Sequence, residues 1–183
     1  LPNSFLTTQI IVFYRLNSDL CVRRWSKRYK KRSAEIAKSL LDFKINKDEV
    51  DYKYFIKPSS EFLRGGVALY IGFNKKSTWL RFEAQYHHND WLFVKSFKVA
   101  ADDFRWQSPK YKFKRDNSSN GVWEWADIPA TKKIIAISKK IASAKKVTIR
   151  FQGTEFYSDK LIENEQKNDL LQVIKLFQLM KIW

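Results

Sequence analysis

The residues with chemical capacity are few and scattered. His87-His88-Asn89-Asp90 sets two imidazoles beside a carboxylate. Adjacent residues on a strand point to opposite faces, so neighbouring histidines rarely ligate one metal. The chain holds two His and one Cys in all, which leaves only carboxylates to complete a transition-metal site. The tetrapeptide therefore reads as a polar turn between two aromatic strands. Asp102-Asp103, and much later Glu163 and Glu165, offer carboxylates for general acid–base work. Pairing at a defined separation is a property of the fold and not of the sequence, and a strand end and a helix N-terminus account for them. Cys21 lies beside Arg23 and Arg24, which would lower a thiol pKa, yet no oriented histidine accompanies it. No G-x-S-x-G elbow, Walker A loop, G-x-G-x-x-G or H-E-x-x-H occurs. The sequence thus names no catalytic, cofactor-binding or metal-ligating residue and implies no cofactor; an enzyme is the third-ranked reading.

Charge carries more information. Thirty-five Lys and Arg against nineteen Asp and Glu give a formal net charge of +16. A field of that sign attracts polyanions such as nucleic acid, an acidic lipid surface or an envelope polymer, although it also simply keeps a surface solvated. Three groups of cations stand out. Arg23, Arg24, Lys27, Arg28, Lys30, Lys31 and Arg32 form a run with no acid between them, of the kind that is often a mobile arm. Lys110 and Lys112 interleave with Tyr111 and Phe113, and Lys114 and Arg115 follow; strand alternation would set these cations around the two rings. Lys132, Lys133, Lys139 and Lys140, with Lys145 and Lys146 beyond, lie on a predicted helix and its exit. Aromatic residues make up 16% of the chain, seven of them Trp. A positive groove with aromatic platforms is how proteins track a nucleic-acid backbone, but most of these Trp and Phe alternate as core residues do.

The elements that must position these residues follow from period and punctuation. At 183 residues the chain fits a single domain, read as a basic N-terminal segment over 1–32 and an α+β domain over 33–183. Gln9 to Tyr14 is β-branched and aromatic, as a strand would be. Ser33 suits an N-cap before a short helix to Leu41. Tyr52–Ile56, Val67–Phe73, Trp79–Tyr86 and Trp91–Val99 read as strands joined by short turns, with Phe104–Phe113 continuing the meander. Asp116–Gly121 reads as polar loop before a short strand at Trp123–Trp125. Pro129 suits the first turn of a helix running to about Ser143, lined by Ile134, Ile137 and Ile141. Val147–Phe151 and Phe156–Ile162 read as strands around Gly153. A last helix near 163–180 carries Leu170, Val173, Ile174 and Phe177 as its apolar stripe. The single cysteine gives no disulfide framework. No run of about 18 apolar residues exists to span a membrane as a helix. Residues 1–20 contain Arg15 and lack a long apolar core, so they do not read as a signal peptide.

Two stretches carry a resemblance. One is Leu69-Tyr70-Ile71-Gly72 with Trp79-Leu80-Arg81-Phe82, Gln85-Tyr86 and Asp90-Trp91-Leu92-Phe93-Val94. The other is Val147 to Gly153 with Tyr157-Ser158-Asp159, Leu161-Ile162 and the closing helix. Over about residues 45–180 the chain resembles a domain found in small bacterial lipoproteins and secreted proteins of unknown function. That resemblance implies an antiparallel sheet with packed helices and a cell-envelope address, and it transfers no catalytic residue. The expectation is then an α+β fold with an antiparallel sheet of about five to seven strands and two or three helices. The leading functional reading is a non-catalytic binding domain whose cationic surface meets an anionic partner. The alternative is a nucleic-acid-binding protein using the basic N-terminal run as an arm on the phosphate backbone.

Overall fold

Alternation of apolar and polar residues drives the central strands. The computed structural model describes residues 26–59 and 65–180, with the backbone alone at 26–30 and Ser33. Val67, Leu69, Ile71 and Phe73 face the core from β3 (Gly66–Phe73), and Leu80, Phe82, Ala84 and Tyr86 do so from β4 (Thr78–His88). Asn74 turns the chain between them, its Oδ1 accepting from the backbone N–H of Lys76 and Ser77. These two strands are the centre of a six-stranded antiparallel sheet in the order β1-β2-β3-β4-β8-β7. The others are β1 (Phe43–Asp48), β2 (Lys53–Pro58), β7 (Lys114–Ser118) and β8 (Gly121–Pro129).

A second antiparallel sheet runs β10-β9-β5-β6. It comprises β5 (Ser96–Ala101), β6 (Phe104–Gln107), β9 (Val147–Gln152) and β10 (Tyr157–Leu161). Its inner face offers Phe97, Val99, Ile149 and Phe151, none more than 1% exposed. The Phe97 ring stacks on Phe82 at 6.0 Å and Phe151 meets Tyr86 edge-on at 6.0 Å, so the sheets share one core. Each such ring contributes about 1.5–3 kcal/mol by leaving water.

Among the described residues, three helices complete the core. They are α1 (Ser26–Ser39), which runs into a 3-10 turn at Leu40–Asp42, α2 (Lys132–Ser143) and α3 (Asn164–Met180). Leu170, Val173, Ile174 and Phe177 of α3 are buried as their spacing predicts, and α3 packs on β3 with α1 and α2 against it. Thr131 caps α2 by accepting from the Ile134 N–H, and Ile134, Ile137 and Ile141 face inward.

The α+β antiparallel reading holds, but the single meander sheet expected is divided in two: β4 pairs with β3 and β8, while β5, β6, β9 and β10 form a separate sheet. Several boundaries move. Helix α1 is already formed at Ser26, seven residues before the expected cap at Ser33, and its Lys and Arg are good helix formers. Pro129 ends β8, and α2 starts at Lys132. Of the polar stretch Asp116–Gly121, residues 116–118 belong to β7, an exposed edge strand, and Gly121 opens β8. Residues 91–95 are loop and β5 starts at Ser96. Strand β6 stops at Gln107, so Lys110–Phe113 is loop as well. The strand read at Gln9–Tyr14 lies outside the described residues.

Candidate functional site

The cations singled out from sequence, where described, fall on α1, on the loop at 108–113 and β7, and on α2 and the turn that follows it. Arg23 and Arg24 lie outside the described residues, and Lys27, Arg28 and Lys30 fall on the first turns of α1. Lys31 is exposed, whereas Arg32 is engaged inside the fold. Its Nε donates to the Leu179 carbonyl at 2.8 Å, and its Nη2 donates to the same oxygen and to Gln178 O. A guanidinium on the last carbonyls of α3 complements the negative end of the helix dipole. That role joins residues 147 apart in the chain, which is why the basic run gave no hint of it. Lys132, Lys133, Lys139 and Lys140 are exposed on α2, away from its isoleucine stripe. Lys110 and Lys112 are exposed on their loop, while Phe113 is buried and Tyr111 half-buried against the core.

The sequence reading missed a fourth group, on the outer face of the four-stranded sheet. Strand register aligns Gln107, Lys98, Arg150 and Asp159 in one row across β6, β5, β9 and β10. The next row on the same face is Arg105, Ala100, Thr148 and Leu161. The small Ala100 and Thr148 make a floor, and these rows, apart from Leu161, line an open groove of ≈ 490 Å³ with Trp106. Arg150 grips Asp159 with two parallel bonds, Nε to Oδ1 at 2.7 Å and Nη2 to Oδ2 at 2.6 Å, and lies 3.9 Å above the Tyr157 ring. That pairing holds the Asp159 carboxyl below its ordinary range. Arg105 is steered by the carbonyls of Asp102 and Phe104. Lys98 sits exposed between Gln107 and Arg150 in the row. Three cations against one carboxylate leave the groove positive. It can hold phosphate, sulfate or carboxylate groups by charge-assisted hydrogen bonds. The only sequence signal was the alternation of Lys98 and Arg150 with apolar neighbours; bringing them together required the strand register.

A buried carboxylate shapes one end of this face. Glu124, fully buried on β8, accepts from three successive backbone N–H groups, Leu92 and Phe93 at 2.7 Å and Val94 at 2.8 Å. Arg115 Nε completes the set at 2.9 Å. This is what turns residues 91–95 from the expected strand into a loop. Phe93 takes φ +55°, in the left-handed region, a conformation that costs an aromatic residue about 1–2 kcal/mol. Gly153 lies against the loop so closely that a Cβ there would stand 2.0 Å from the Leu92 carbonyl oxygen.

The other chemistry-bearing residues are placed structurally. His87 stacks on Trp123 at 5.0 Å and its Nε2 is 3.1 Å from the Asn120 carbonyl. His88 stacks on Tyr86. Asp102 accepts from the N–H of Lys146 and Lys145, and those bonds lower its pKa. Among the described residues no group of three or more His, Cys, Asp or Glu is arranged to hold a metal. On the outward face of the six-stranded sheet, Glu83 lies opposite Asp127 across β4 and β8. Asp127 accepts from Tyr70 Oη at 2.7 Å and Arg81 Nε at 2.9 Å. Burial pushes the Glu83 carboxyl up to about 7, moderated by Lys57. A carboxyl whose pKa burial raises, beside a second carboxylate, is found in acid–base pairs, and equally in structural ion-pair networks.

Neither a family model, a curated protein nor a solved structure matches this chain. Among the described residues no helix is long and apolar enough to cross a membrane.

Proposed function

We propose that this protein is a non-catalytic, envelope-associated binding domain whose cationic surface meets an anionic partner. The observation that carries the reading is the row of Lys98 and Arg150, with Arg105 beside it, over a floor of small residues on an open sheet face. An extended anionic chain laid across the strands would meet these cations in turn, while the exposed lysines of α2 add to the long-range attraction. The envelope address comes from the resemblance to lipoprotein and secreted domains. A nucleic acid is the second reading, favoured by Lys27, Arg28, Lys30 and Lys31 following one another on α1.

Titration of the full chain with a soluble anionic polymer and with a DNA duplex, at about 50 mM and 200 mM salt, tests both. Three phosphate contacts should weaken binding roughly 40-fold across that range. Combined Lys98→Ala, Arg105→Ala and Arg150→Ala should reduce the salt slope by about three. An unchanged affinity and slope in that variant would remove the groove from the account. Preference for the duplex, lost when Lys27, Arg28, Lys30 and Lys31 become Ala, would favour the nucleic-acid reading.

A further inference from the structure

Two loops that touch carry four exposed aromatic side chains. Trp91 is 37% and Phe93 52% exposed on the 91–95 loop; Phe156 is 74% and Tyr157 60% exposed where the chain turns into β10. The loops are locked together. Gly153 abuts the Leu92 carbonyl, Lys95 N donates to Gln152 O at 2.8 Å, and Gly153 N donates to Phe156 O at 2.9 Å. Trp91 and Phe93 sit with ring centroids 6.4 Å apart. Their outward position is imposed by the fold, since the Glu124 carboxylate pulls the loop backbone inward at three successive N–H groups. Large apolar side chains held in water by a buried carboxylate and a left-handed backbone call for an explanation beyond folding.

Cations surround these rings. Arg115 lies 5.2 Å over Phe93 and Arg150 3.9 Å over Tyr157. Tyr111 N donates to the Lys95 carbonyl, which draws the loop bearing Lys110 and Lys112 alongside. Of the nearby acids, Glu124 and Asp159 are paired with Arg115 and Arg150, leaving Asp90 and Glu155 exposed. Trp, Tyr and Phe favour the boundary between headgroups and acyl chains, and basic side chains beside them meet anionic headgroups. Separate projecting side chains suit a fluid interface that each can enter alone. A folded partner would require a complementary shape, and stacked bases would need ring faces that guanidinium groups already cover at Phe93 and Tyr157.

We infer that Trp91, Phe93 and Phe156 are interfacial anchors that seat this cationic end of the protein on an acidic lipid surface. The inference rests on the proposed function and names the anionic partner. It is tested by sedimenting the full chain with phosphatidylcholine vesicles, with and without phosphatidylglycerol, beside titration with the soluble anionic polymer and the duplex. The expected result is binding to the acidic vesicles, weakened about tenfold or more by Trp91→Ser with Phe156→Ser, while polymer binding is unchanged. Brominated lipid should quench the parent's fluorescence more than that of Trp91→Phe. Both sites are exposed, and an unaltered thermal transition would show that the variants fold. Acidic-vesicle binding that survives the double change would overturn the anchors and leave the cationic groove standing. Polymer or duplex binding without vesicle binding would overturn the lipid surface alone. Failure to bind polymer, duplex and vesicles alike would overturn the proposed function as well.

Discussion

Glu83 is the side chain whose protonation the fold alters most usefully for experiment. It faces Asp127 on β8, while Lys57 on β2 and Lys114 on β7 pull the other way. Burial is the larger effect, and the carboxyl is raised to about 7 from its ordinary 4.5. The folded state therefore binds this proton more tightly than the unfolded chain. Its contribution to stability is fully present below about pH 4.5 and is lost as pH rises through about 7. Allowing for partial exposure, the loss is about 1–2 kcal/mol. Glu83→Gln, which cannot ionise, should match the parent in urea unfolding near pH 4 and exceed its stability by that amount near pH 8. A difference between the two proteins that does not vary with pH would contradict this account.

At the scale of elements, the loop at 91–95 is the most informative. Trp91 to Val99 has the composition of a strand, and only β5 from Ser96 onward is one. The deciding residue is Glu124, about thirty positions downstream, and nothing in a local window reveals it. Glu124→Gln keeps the shape and removes the charge, leaving an amide that presents N–H to N–H. We expect a loss of about 2–4 kcal/mol, read as a lower urea midpoint, with faster hydrogen exchange at Leu92, Phe93 and Val94. Exchange unchanged at those amides would mean that the loop holds itself. The same reasoning explains what was legible and what was not. Helices α2 and α3 were readable because their isoleucine and leucine stripes repeat at helical spacing, and β3 and β4 because their apolar residues alternate. Strand β7, Lys114–Ser118, carries no buried residue and so left no pattern. The cations of α2 were foreseen because they lie opposite an apolar stripe. Lys98, Arg105 and Arg150 were not, because a row across four strands depends on register.

At the scale of the whole molecule, the described residues form two sheets sharing one core, and the chain passes between them repeatedly. Strands β1 to β4 and β7 to β8 build one sheet; β5, β6, β9 and β10 build the other. Rings from both sheets meet at Phe82–Phe97 and Tyr86–Phe151. One core with no separable half predicts all-or-none unfolding. Tryptophan fluorescence and far-ultraviolet dichroism should trace coincident urea transitions, and transitions that separate would mean that one sheet melts alone. The pairings β4 with β8 and β5 with β9 both close across the loop at 108–113. A protease cutting that loop would leave one fragment with β1 to β6 and another with β7 to β10, each with part of both sheets and neither with a whole one. The halves of such a nicked molecule would have no independent life. They would stay clasped and keep binding, or part and lose everything together, so the loop that carries Lys110 and Lys112 is also where the protein would divide into two complementary pieces.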